Sequence, residues 1–102
     1  MKKAFDMELF LSGILTGSLA TRRRHVRQAI MIQSVIAKRW KLENPWSWRS
    51  KHLQWFLRYG VEGRSEATIY YFSLTAKLIA LRLARHRSLV ERKLGPHLKK
   101  TL

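Results

Sequence analysis

No cysteine occurs in this chain, which excludes disulfide staples and thiolate metal sites and leaves the redox compartment unmarked. Acids are scarce as well, with 6 Asp and Glu against 21 Lys and Arg. Asp6, Glu8, Glu43, Glu62, Glu66 and Glu91 stand singly, whereas metal-assisted phosphoryl transfer needs clustered carboxylates. His25, His52, His86 and His97 lack paired spacing and neighbouring acids, so neither a metal site nor a general base is expected. A phosphate-cradling glycine loop is also missing. No uncharged run approaches the ~20 residues needed to cross a bilayer. Lys2 and Lys3 precede apolar residues, yet Asp6 and Glu8 fall where the hydrophobic region of a signal peptide would begin. The expectation is a cytoplasmic, non-enzymatic protein without metal, cofactor or membrane association.

What the chain has in excess is positive charge. A formal +15 on 102 residues repels itself, and that repulsion opposes compaction unless a polyanion offsets it. Nucleic acid is therefore the expected partner. Hydrophobic residues still make up 46%, enough for one modest core, so residues 1–102 read as a single domain. Its ordered part is expected over about residues 6–87, with a loose arm at Met1–Phe5 and a basic tail at 88–102.

Apolar spacing predicts four main helices. Asp6 caps a first helix of about three turns whose stripe is Phe10, Leu11, Ile14 and Leu15, ending at Gly17. Ser18 caps a second, running to about Trp40, with a core face of Val26, Ala29, Ile30, Gln33, Ile36, Ala37 and Trp40. Arg24, Arg27, Met31 and Lys38 fall opposite. Pro45 enforces a connection over Lys41–Pro45 and pushes Asn44 towards extended backbone. Ser47 or Ser50 starts a third helix, with Leu53, Phe56 and Leu57 inward and Gly60 as a left-handed stop. Trp46, Trp48 and Trp55 are expected to pack between helices.

The fourth helix, Ser65 to Arg85, organises the rest. Ile69, Phe72, Ala76, Ile79 and Leu83 share one face, while Tyr70, Leu74, Leu78 and Leu81 spread round the others, which predicts a central, enclosed helix. Ser65 is its N-cap and Glu66 complements its dipole. Beyond Arg85 the pattern weakens, and Gly95-Pro96 ends any helix before a tail at His97–Leu102.

The densest basic cluster, Arg22-Arg23-Arg24-His25-Val26-Arg27, occupies the first turns of the second helix. Cations there oppose the helix dipole, so an anion-binding role is expected. An internal echo strengthens this: Ser18-Leu19-Ala20-Thr21 opens the second helix and Ser65-Glu66-Ala67-Thr68 the fourth, each beside arginine. Two such N-termini are expected to approach phosphates together.

The ordered series of a short helix, Ser18-x-x-Thr21, a long basic helix, Lys51-His52-Leu53-Gln54-Trp55-Phe56-Leu57, Gly63-Arg64-Ser65-x-x-Thr68 and a long helix resembles the N-terminal core-binding domain of tyrosine recombinases, the phage-integrase family. It covers about Phe5 to Arg87. The resemblance implies a compact SAM-like bundle whose second and fourth helices lie on double-stranded DNA. It also implies DNA contacts from Ser18, Thr21, Arg22, Arg24 and Arg27, and from Arg64, Ser65, Thr68 and Lys77, with Arg23 joining them through the basic cluster. Members of that family continue into a catalytic domain, for which the residues up to Leu102 leave no room. Tyr59, Tyr70 and Tyr71 lie in the bundle portion and are not nucleophiles.

The function expected is thus duplex DNA binding, as an accessory or regulatory factor of a phage or mobile element or as a truncated recombinase, with a recombinase or another element protein as a further partner. Two alternatives stay open. One is an RNA binder using basic helices and exposed aromatics, and the other an interaction module whose apolar first helix docks on a partner.

Overall fold

The computed structural model describes residues 5–94. It is an all-α bundle of four helices: α1 (Met7–Leu11), α2 (Leu19–Trp40), α3 (Ser50–Trp55) and α4 (Glu66–Leu94). A 3₁₀ turn at Pro45–Ser47 precedes α3, which widens into a π-helical turn at Phe56–Gly60. No strand occurs among the described residues, and none of their helices is long and apolar enough to cross a membrane. Residues 1–4 of the arm predicted at Met1–Phe5, the Gly95-Pro96 stop and the tail at 97–102 lie outside the described residues, whereas Phe5 is not loose, since its N–H donates to Glu43 Oε1 at 3.1 Å.

The caps follow the predicted chemistry. Asp6 Oδ1 accepts from Leu9 N at 3.0 Å, Ser18 Oγ from Thr21 N at 3.2 Å and Ser65 Oγ from Thr68 N at 3.2 Å, each satisfying an otherwise orphaned helix donor. In both Ser-x-x-Thr pairs the serine hydroxyl also donates to the threonine oxygen, at 3.1 and 3.0 Å. Asn44 is extended, and its side chain accepts from Trp46 N at 2.9 Å.

Helix α1 is shorter than predicted. Ser12 Oγ donates to Leu9 O, and Ile14 N to Leu11 O, so local bonds compete with the ladder and the chain turns before Ile14 and Leu15. The core face of α2 is likewise displaced. His25, Ala29, Ile32, Gln33 and Ile36 are buried, whereas Ile30, predicted to point inward, is 50% exposed. At 100° per residue the buried stripe is turned by about 60° from the predicted one. The reason is that polar residues can go inside when partnered, as His25 does with its Nδ1 2.8 Å from Thr75 Oγ1. The Gln33 amide donates to Phe5 O and Glu43 O, at 3.2 and 3.0 Å.

Helix α4 is not enclosed. Phe72, Thr75, Ala76, Ile79 and Leu83 are buried along one side, but Tyr70 is 59% exposed and Leu81 also faces solvent. A chain of this size has too few elements to cover both sides of so long a helix. The helix also passes Arg85, where its pattern weakens, and continues to Leu94.

The tryptophans pack as expected. Trp48 is fully buried with its indole N–H donating to Leu42 O at 2.7 Å, Trp46 lies 4.8 Å from the Phe10 ring, and Trp55 lies 4.8 Å from Trp40.

Gly60 is not a left-handed stop; positive φ occurs instead at Gly17, Gly63 and Lys41. Its small size has another cause, since a Cβ there would stand 2.6 Å from Phe56 Cδ1. Gly60→Ala should therefore cost about 1 to 3 kcal/mol through overpacking, read as a lowered urea midpoint. Gly13→Ala is the control, because its Cβ would meet nothing within 4 Å; equal losses would refute this account of Gly60.

Candidate nucleic-acid interface

Three contacts define how α2 and α4 meet. The Arg24 guanidinium lies 4.3 Å from the Tyr71 ring centroid, Thr75 Oγ1 donates to Gln28 Oε1 at 2.7 Å, and Arg64 Nη2 donates to Met31 Sδ at 3.0 Å. Along α2 from Arg24 to Gln28 the partner on α4 moves from Tyr71 to Thr75, while Met31 meets Arg64 in the turn that precedes α4. Arg24, Gln28 and Met31 recur at helical spacing on one face of α2, as do Thr68, Tyr71 and Thr75 on α4. Arg24 and Arg64 consequently line one seam.

The two caps lie apart. Arg64 reaches Met31, thirteen residues along α2 from Ser18, which at 1.5 Å per residue is roughly 20 Å. The N-termini of α2 and α4 thus do not converge on one point, contrary to what the paired Ser-x-x-Thr motifs suggest. They mark opposite ends of a cationic strip.

The remaining predicted residues divide between surfaces. Ser18 and Ser65 are exposed caps, while Thr21 and Thr68 are half-buried and bonded to them. Arg22 turns back so that its Nε donates to Gly17 O at 3.0 Å. Together with Arg23 and the exposed Arg27 it borders a groove against α1. Arg24 is not opposite the core: it is half-buried, and its shielded Nε makes no hydrogen bond among the described residues. Lys77 is exposed, about 160° round α4 from Thr75, and does not join the seam.

Charge within the bundle stays unneutralised. Arg22, Arg82 and Arg87 donate to backbone carbonyls of Gly17, Phe10 and Trp48, and Arg64 to sulfur. The acids Asp6 and Glu43 accept from the backbone N–H groups of Leu9 and Phe5. Among the described residues, no basic side chain has a carboxylate as its hydrogen-bond partner. A guanidinium held partly out of water on an aromatic face, as Arg24 is, attracts an anion more strongly than one freely hydrated.

Beneath the seam lies a buried polar cluster that apolar spacing could not reveal. His25 Nδ1 is 2.8 Å from Thr75 Oγ1. Because the single hydroxyl proton of Thr75 goes to Gln28, the shared proton must sit on His25 Nδ1. Burial first, then the neighbouring Arg24 charge, hold His25 below the usual histidine range. His52 is lowered as well, by burial and then by Lys51 and Arg49, and its bare Nδ1 accepts from Arg49 N at 2.8 Å.

Both imidazoles bind protons more readily unfolded than folded, so stability rises with pH wherever they titrate. The contribution is complete above about pH 6.5, the unfolded value, and is lost as pH falls towards the depressed folded values. Thermal melts at constant ionic strength should show a midpoint that is level from pH 7 to 8 and lower at pH 5. A midpoint that rises on acidification would overturn this assignment.

Comparison of the chain with protein families, with curated proteins and with solved structures returned no match.

Proposed function

We propose that the protein binds double-stranded DNA along the α2/α4 seam, with Arg24 and Arg64 on phosphates and the exposed Arg27 beside them. The observation that carries this reading is the unneutralised charge. The sequence carries a formal +15, and the arginines that make hydrogen bonds among the described residues, Arg22, Arg64, Arg82 and Arg87, bond to carbonyls or sulfur rather than to acids. Such a surface is left for an external polyanion. The roughly 20 Å between the two caps corresponds to about six base-pair steps along a duplex axis at 3.4 Å each.

Duplex is favoured over splayed RNA by what the tryptophans do. Trp48 is buried and Trp46 and Trp55 are half-buried against the core, which leaves little indole face for stacking on unpaired bases, whereas Tyr59 and Tyr70 stay exposed. The ordered motifs that resemble integrase core-binding domains support the same choice and suggest a SAM-like arrangement. They assign the contact to recombination, either as an accessory factor of a phage or mobile element or as the DNA-gripping part of a recombinase.

The test compares duplex DNA, single-stranded DNA and structured RNA of equal length, each at two salt concentrations. Duplex should bind tightest, and Arg24→Ala with Arg64→Ala should weaken it more than Lys77→Ala does. Tightest binding to structured RNA would replace this reading with the RNA one.

A further inference from the structure

Between α1 and the first turns of α2 runs a groove of about 570 Å³. Leu15, Leu19 and Val26 supply its apolar lining, and Arg22, Arg23 and Arg27 its cationic one. One acid, Glu8, also borders it, so the lining keeps an excess of positive charge. Leu19, which lines the groove, is 62% exposed, and Leu9, next in the chain to the lining residue Glu8, is 71% exposed.

Phosphates explain the arginines but not the leucines. A DNA backbone offers charge and no apolar side chain, so a floor of Leu15, Leu19 and Val26 gains nothing from it. A free fatty acid could fill the groove but would leave Leu9 outside and would use only one of three cations. A helix carrying apolar residues on one face and carboxylates beside them complements all of these features, because its anchors recur at i, i+3, i+4 and i+7 while its flanks meet arginine. We infer that this groove docks an acidic amphipathic segment of a partner protein. The inference goes beyond duplex binding and does not depend on it.

The experiment is calorimetric titration of the full chain, without nucleic acid, by a synthetic peptide of about 14 residues with leucines at i, i+3, i+4 and i+7 between glutamates. An isomer of identical composition with its leucines dispersed is the first control, and sodium dodecanoate is the second. The one-faced peptide should bind at least about tenfold more tightly than its isomer. Leu19→Glu should abolish that preference. This variant should fold normally, since Leu19 is exposed and an acid suits the first turn of a helix; circular dichroism checks it. Arg58→Glu, outside the groove, should weaken the peptide by less than about threefold although it removes more charge. Equal binding of both peptides, or an Arg58→Glu loss matching that of Leu19→Glu, would reduce the effect to diffuse attraction and overturn the inference. So would dodecanoate binding lost in Leu19→Glu while the peptide fails to bind.

Discussion

Affinity for a short duplex should fall roughly 10²- to 10⁴-fold between 50 and 200 mM monovalent salt. The expectation rests on the length of the seam. A strip of roughly 20 Å runs past about six base-pair steps, and the phosphates of both strands that face it and its flanking cations set the number neutralised at about five to eight. Each displaces condensed counterions, giving a log–log slope of about −4 to −7. Individual residues should then separate. Arg27 is exposed, so Arg27→Ala should change folding by no more than ~0.5 kcal/mol while reducing the slope by about 1. Arg24→Ala should reduce it similarly but also cost stability, about 0.5 to 1 kcal/mol, because its guanidinium rests on Tyr71. Lys77→Ala should leave the slope unaltered. A slope near zero would remove the polyanion reading, and a loss confined to one DNA sequence would show base readout in place of phosphate contact.

Phe72→Ala should cost about 3 to 5 kcal/mol and lower the melting midpoint by roughly 15 to 30 °C. The ring is 2% exposed and packs edge-on against Phe56, with centroids 5.3 Å apart. Phe56 is itself confined, with room on its other side only because residue 60 has no side chain. Neither ring can shift to refill the vacancy, so the cavity term should approach its upper range. Phe72→Leu, which keeps most of the volume, should lose less than about 1.5 kcal/mol. A loss under ~1 kcal/mol for the alanine variant would show that this aromatic pair does not anchor the core.

Fold class was legible because caps and apolar recurrence are local properties. Asp6, Ser18 and Ser65 declare helix starts through side-chain chemistry that needs no tertiary information. Burial of Phe72, Ile79 and Leu83 follows from spacing along a single helix. What could not be read were faces decided by a partner. His25 and Thr75 are fifty residues apart, and each is tolerable inside only because the other is there. Apolar counting therefore preferred Ile30 and turned α2 by about 60°. Gly60 follows the same logic: its constraint is the nearby Phe56 ring, not its own backbone angles. The arginine cluster is visible as charge, but its division between seam and groove depends on which faces of α2 meet α4 and α1. Tyr71 carried no signal at all until Arg24 was found lying on it.

The Gln33 side chain has a consequence for how the molecule opens. Its amide holds the carbonyls of Phe5 and Glu43 together, while Phe5 N donates back to Glu43 Oε1 at 3.1 Å. The segment leading into α1 and the link after α2 are therefore joined through the middle of α2, as one unit of exchange. A five-residue helix would ordinarily fray by itself. Here, release of Phe5 strips Gln33 and Glu43 of partners as well. Slow amide protons at Phe5, Leu9 and Phe10 should consequently exchange together with those around Glu43, with one opening free energy, and Gln33→Leu should divide that unit into two.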